Sequence, residues 1–236
     1  MHNLLTMTKE EIISFVNEAL VKEKIVTVLS GGGAVEHYTE NKYMSDDMDM
    51  INIYNERHSK IKKVMLKLGF KESIKYFIIN GRDDIFIEFP SGPLAIGNEF
   101  VDYDNTENVI TDYGVFKIIT LLDCIKDRLS AFFAWDDRQS LYQAVMLFIH
   151  NPTTTDNLHL LEKWATEDKT NSIKWNFYIS MVDFFKEKVL EIKNTQELED
   201  KIENFLDVAV EEHCAFADVN DFSMDNIMDF YNRKKA

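Results

Sequence analysis

All eight glycines of this 236-residue chain lie between Gly31 and Gly114, and Pro152 is the only proline after Pro93. Glycine and proline punctuate turns, so the first half must be built from short elements joined tightly. The second half reads as helix after helix. At 45% apolar the chain can bury a sizeable core as one large domain or two small ones. The expected fold is α+β, with a mixed sheet and flanking helices over 1–120 and an all-α domain over 121–236. No internal repeat or low-complexity segment interrupts it.

The local signals order the first half. Thr8 to Glu11 is a capping box opening a helix to about Val21, and the β-branched run Ile25 to Leu29 is a strand ended by Gly31, Gly32 and Gly33. A short helix from Ala34 to Tyr38, a polar loop and a second strand from about Met48 to Tyr54 follow. The spacing then predicts a helix from Glu56 to Leu68 stopped by Gly69, a hairpin around Asn80-Gly81, and a strand near Gly114 to Ile119. Helices are expected over 121–133, 137–149, 156–167, 172–192, 195–213 and 223–234.

Composition excludes several classes. Cys124 and Cys214 give neither a disulfide framework nor a CxxC zinc knuckle, which suits a reducing cytoplasm. No basic flank precedes an apolar core at the N-terminus, and no apolar run approaches the ~18 residues of a membrane span. The net charge of −15 argues against wholesale coating of nucleic acid. The charge is uneven, however: Arg57, Lys60, Lys62, Lys63, Lys67, Lys71 and Lys75 face one acid, Glu72, whereas the chain from Glu197 onward is strongly acidic.

With 21 aspartates, about two Asp-x-Asp pairs are expected by chance, and two occur, Asp47/Asp49 and Asp102/Asp104. Context separates them. Asp47 and Asp49 open an apolar strand, whose period of two points both carboxylates to one face, while Asp102 and Asp104 lie in a polar loop. Paired carboxylates call for a cation, and Mg²⁺ takes carboxylate oxygens together with substrate phosphates. The Gly31 to Gly33 turn supplies the complement, because backbone N–H groups leading into a helix hold phosphate. Neither the P-loop nor the dinucleotide-binding glycine pattern is present. Glu88 is the one charged residue in the apolar strand Ile85 to Phe89, a costly place for a charge without a partner. Asp83 and Asp84 read as loop residues beside the turn, His37 and Met48 as structural, and Phe132, Phe133 and Trp135 as core.

Ser30-Gly-Gly-Gly33 after one strand and Ser45-Asp-Asp-Met-Asp49 at the next resemble the polymerase-β-like nucleotidyltransferase superfamily. Farther on, Ile119 to Ala144 (ITLLDCIKDRLSAFFAWDDRQSLYQA) is similar to the AbiEii type, the enzyme half of abortive-infection toxin–antitoxin pairs. That type has a helical lysine, matched by Lys126, followed by Arg-Asp-x-x-Asp-Leu. Asp137 stands at its first aspartate, with Asp136 replacing the arginine and Ser140 the second aspartate. The resemblance covers about residues 25–145.

It implies a Mg²⁺-dependent transfer of a nucleoside monophosphate from a nucleoside triphosphate to an acceptor hydroxyl. Asp47, Asp49 and Glu88 would hold one or two Mg²⁺, with Glu88 alternatively taking the acceptor's proton. Ser30, Gly31, Gly32 and Gly33 would grip the phosphates, Lys126 would balance their charge, and Asp137 would join the nucleotide site. The acceptor expected is RNA, such as tRNA, guided by Arg57, Lys60, Lys62, Lys63 and Lys67, with a protein antitoxin as a possible partner. An aminoglycoside-type small-molecule transferase and an inactive fold serving as a binding module remain alternatives.

Overall fold

The computed structural model describes residues 3–189, without the side chains of 152, 153, 155, 173 and 184–189. The chain separates into two compact units, Met1–Asp127 and Arg128 onward.

The first unit opens with α1 (Lys9–Lys22). The Thr8 hydroxyl accepts from the Glu11 amide at 3.2 Å while the Glu11 carboxylate accepts from the Thr8 amide at 2.7 Å, the reciprocal box that the sequence predicts. Ile12, Ile13, Val16 and Leu20 recur at helical spacing and are buried. Next come β1 (Thr27–Ser30), α2 (Gly31–Tyr38), β2 (Asp47–Asn52), α3 (His58–Lys67), β3 (Lys71–Ser73), β4 (Tyr76–Ile78) and β5 (Phe86–Glu88). A small ribbon of β6 (Ala95–Ile96) and β7 (Glu99–Phe100) precedes the hairpin β8 (Glu107–Thr111) and β9 (Gly114–Ile118). The main sheet has seven strands in the order β3-β4-β5-β2-β1-β9-β8. It is mixed: β1 runs antiparallel to β2 and parallel to β9, and β2 runs parallel to β5. The α+β class is therefore as the sequence predicts.

Four details differ. The glycines belong to α2 itself, which starts at Gly31 rather than Ala34. The loop between β4 and β5 is longer than the tight Asn80-Gly81 hairpin, because Arg82 ties it to the N-terminal segment. Its guanidinium donates to the carbonyls of Leu4 and Met7 and to both carboxylate oxygens of Asp84, holding the Asp84 carboxyl below its ordinary range. The short edge strands β3, β6, β7 and β8 carry no apolar alternation and were not expected. Trp135 is 82% exposed rather than core.

The division between units falls inside α4 (Leu121–Trp135). The described part of the second unit continues with α5 (Arg138–His150), α6 (Leu158–Thr166) and α7 (Ser172–Val189). Its core includes Phe132, Phe148, Trp175 and Tyr178. The Tyr178 hydroxyl donates to the Ala144 carbonyl at 3.2 Å, and complete burial pushes its pKa up. The helices expected over 195–213 and 223–234, together with Cys214, lie outside the described residues. No helix among the described residues is long and apolar enough to cross a membrane.

Candidate active site

Strand register assembles the acidic residues. β2 alternates, with Met48 and Met50 buried and Asp47 and Asp49 on the opposite face. Ser30 of β1 pairs with Asp49, and Asp49 pairs with Glu88 of β5. Residues opposite one another in a sheet point to the same face. Ser30, Asp49 and Glu88 therefore form one row across three adjacent strands, and Asp47 lies on the same face one pleat away. Glu88 is the single acid of β5 and is drawn into this row by pairing with a strand some forty positions upstream.

The glycines fit against the same strand. Gly31 has φ of +64° and lies so close to Asp49 that a Cβ there would overlap the carboxylate. A Cβ at Gly32 would meet the Ser45 hydroxyl, and one at Gly33 the Met48 sulfur. Each glycine lets the first turn of α2 lie directly on β2 and the segment before it. Gly31→Ala combines a left-handed conformation costing about 1–2 kcal/mol with displacement of the Asp49 carboxylate. Chemical denaturation should show at least that loss of stability, and Gly33→Ala, whose close contacts are the flexible tips of Met48 and Leu29 with the Asp47 carbonyl at ordinary van der Waals distance, should cost less.

A buried ion pair holds the approach to β2. Lys9 Nζ lies 3.1 Å from Glu36 Oε2 and donates to the Ser45 carbonyl at 2.9 Å, and the Ser45 amide donates to Glu36 Oε2 at 2.7 Å. Both side chains are under a tenth exposed. The Ser45 hydroxyl then donates to the Asp47 carbonyl at 3.0 Å, so one network links α1, α2 and the start of the aspartate strand. Beside it is a cavity of about 170 Å³, lined by Lys9, Ile13, Leu29, Glu36, His37 and Met48 among others. His37 Nδ1 is 2.6 Å from Glu10 Oε1 at one side of this cavity, consistent with a structural histidine.

Glu88 is turned toward Lys75, whose Nζ is 2.6 Å from Glu88 Oε2 and 4.7 Å from the Tyr76 ring centroid. The hydrogen bond to Glu88 foremost, then the one to Tyr76, raises the Lys75 pKa above the usual lysine range. Among the described residues no three His, Cys, Asp or Glu side chains are gathered as a metal site. Asp47 and Asp49 nonetheless suit Mg²⁺, which needs only one or two carboxylates when phosphate and water complete its shell.

Other expected site residues are placed elsewhere in the bonding pattern. Lys126, on α4, donates to Glu99 Oε2 at 3.2 Å. Asp137 caps α5, accepting from the Gln139 amide at 3.1 Å and from the Ser140 hydroxyl at 2.6 Å. Asp136, with φ of +52°, pairs with Lys174 at 2.5 Å. Of the basic run, Lys60 pairs with Glu56, and Lys62 and His58 both pair with Glu72 of β3. Lys63, Lys67 and Lys71 are exposed. Sequence reasoning missed Lys75 as a site residue, because only the β4–β5 register shows that it reaches Glu88.

The chain matches no protein-family model, and no curated protein matches it. Among solved structures it is similar to the solution structure of the antibiotic-resistance factor ANT(2'')-Ia, with 14% identity, a TM-score of 0.37, and coverage of 65% of this chain and 94% of that one.

Proposed function

We propose that the chain is a nucleotidyltransferase of the polymerase-β-like type, moving a nucleoside monophosphate from a nucleoside triphosphate to an acceptor hydroxyl. The observation that carries this is the row of Ser30, Asp49 and Glu88, with Asp47 on the same face and Gly31 packed on the Asp49 carboxylate. Asp47 and Asp49 would hold Mg²⁺, which when bound neutralises charge on the triphosphate. The backbone at the start of α2 and the Ser30 hydroxyl orient the phosphates beside Asp49. The acceptor oxygen forms a bond to the α-phosphorus, the bond from that phosphorus to the β-bridging oxygen breaks, and pyrophosphate leaves. Glu88 takes the acceptor's proton on a carboxylate oxygen. Lys126, assigned to the β- or γ-phosphate by resemblance, must leave Glu99 to act there.

RNA, with tRNA as the leading candidate, is the acceptor proposed, in the setting of a toxin–antitoxin pair in the cytoplasm. The net charge of −15 favours a second reading in which a polycationic aminoglycoside accepts the nucleotide. The test is Glu88→Gln. It should keep Mg²⁺-dependent triphosphate binding by calorimetry and lose transfer by at least ~10²-fold. Transfer at the wild-type rate would remove Glu88 from the chemistry.

A further inference from the structure

The sheet face that carries the carboxylates continues past them onto β5 and β4. Asp47 pairs with Phe86, Phe86 with Ile78, and Ile78 with Lys71, so these four share a face. One pleat away, continuing the same register sets Tyr76 beside Glu88, with Ser73 on its other side. Tyr76 and Phe86 are half-buried, and their rings meet edge to face with centroids 5.9 Å apart. Two aromatic rings thus flank the acidic row on the side away from the glycines. Lys75 lies over Tyr76, and the exposed Lys71 lies on the row of Phe86.

We infer that Tyr76 and Phe86 form a stacking platform for the terminal base of a single-stranded nucleic-acid acceptor, with Lys71, and Lys75 on its release from Glu88, attracting its phosphates. This rests on the transfer reading for the word acceptor, but not for the binding itself. The glycine turn and Ser30 lie on the β1 side of Asp49, leaving the β5 side for the second substrate. A ring face beside cations suits a base with its phosphate, since stacking accepts any base and the cations track the backbone.

The probe is a short fluorescein-labelled single-stranded RNA, titrated into the full chain and followed by anisotropy without triphosphate. Tyr76→Ala should weaken binding about 5- to 150-fold, the range for one stacked base, while Tyr76→Phe binds like the wild type. Phe86→Leu, which keeps apolar bulk without a ring face, should also weaken it. Lys75→Ala should lower the salt slope by about one. Calorimetry should give Tyr76→Ala, Tyr76→Phe and Phe86→Leu the wild-type triphosphate affinity. Equal RNA affinity for the wild type and Tyr76→Ala, or no RNA binding by the wild type, overturns the platform. A Tyr76→Phe defect as large as that of Tyr76→Ala would overturn stacking, since the ring is retained. Weakened triphosphate affinity at unchanged RNA affinity would overturn the acceptor assignment. If no triphosphate binds the wild type, the transfer reading fails on its own, and the anisotropy series still decides the platform.

Discussion

Asp49→Asn should yield a folded protein whose nucleotidyl transfer is lower by about 10²–10⁴-fold, the rate equivalent of the several kcal/mol that a bound metal contributes. The substitution keeps size and removes the charge. Asp49 is the residue at which three constraints meet: it pairs with Ser30 on one side and Glu88 on the other, and Gly31 is free of a side chain where its carboxylate lies. Asp47→Asn should act in the same direction, since its carboxylate shares that face. Asp102→Asn and Asp104→Asn serve as controls. Asp102 caps a single 3₁₀ turn, accepting from the Asp104 amide at 3.0 Å, and neither residue lies in the row. Transfer by radiolabel release and folding by circular dichroism separate a lost metal ligand from a lost fold.

The second large effect is on stability. Lys9→Met should destabilise the protein by about 3–5 kcal/mol, because it leaves the Glu36 carboxylate buried and without its cation. Lys9 and Glu36 belong to different helices and both bond Ser45, so the loss also frees the segment that leads into Asp47. The double variant Lys9→Met/Glu36→Gln should recover most of the loss. The amide oxygen of a glutamine can still accept from the Ser45 amide, and no buried charge is stranded. Urea titration of the two variants against the wild type measures both numbers. A double variant as unstable as Lys9→Met alone would show that the cost lies in lost packing rather than in an uncompensated charge.

Much of the fold was legible where local signals were strong. The capping box at Thr8 sets the start of α1, and the apolar-polar alternation of β2 predicts which face carries Asp47 and Asp49. The start of α2 was misread because glycine has poor helix propensity. Asp49, Ser45 and Met48 lie where side chains at these three positions would have to go, so this turn against β2 needs glycine. Strand β3 was missed because Lys71-Glu72-Ser73 has no apolar residue, and its place at the sheet edge is set by pairing with β4. The basic run was legible as charge but not as geometry. Glu72 is next in sequence to Lys71, yet its carboxylate serves His58 and Lys62 on α3. The site was readable as residue types, and only the long-range β2–β5 register turns Glu88 from a strand carboxylate into a neighbour of Asp49. Lys75 and Tyr76 became visible by the same route.

The most direct measurement follows the label. The full chain is incubated with Mg²⁺, each of the labelled nucleoside triphosphates, total RNA and an aminoglycoside panel, beside Asp47→Asn and Asp49→Asn. Label should appear on RNA with pyrophosphate released, abolished in both variants and falling steeply with salt. Label on the aminoglycosides alone would contradict the RNA acceptor while keeping nucleotidyl transfer. No transfer from any triphosphate to any acceptor, with both aspartate variants indistinguishable from the wild type, would contradict nucleotidyl transfer itself.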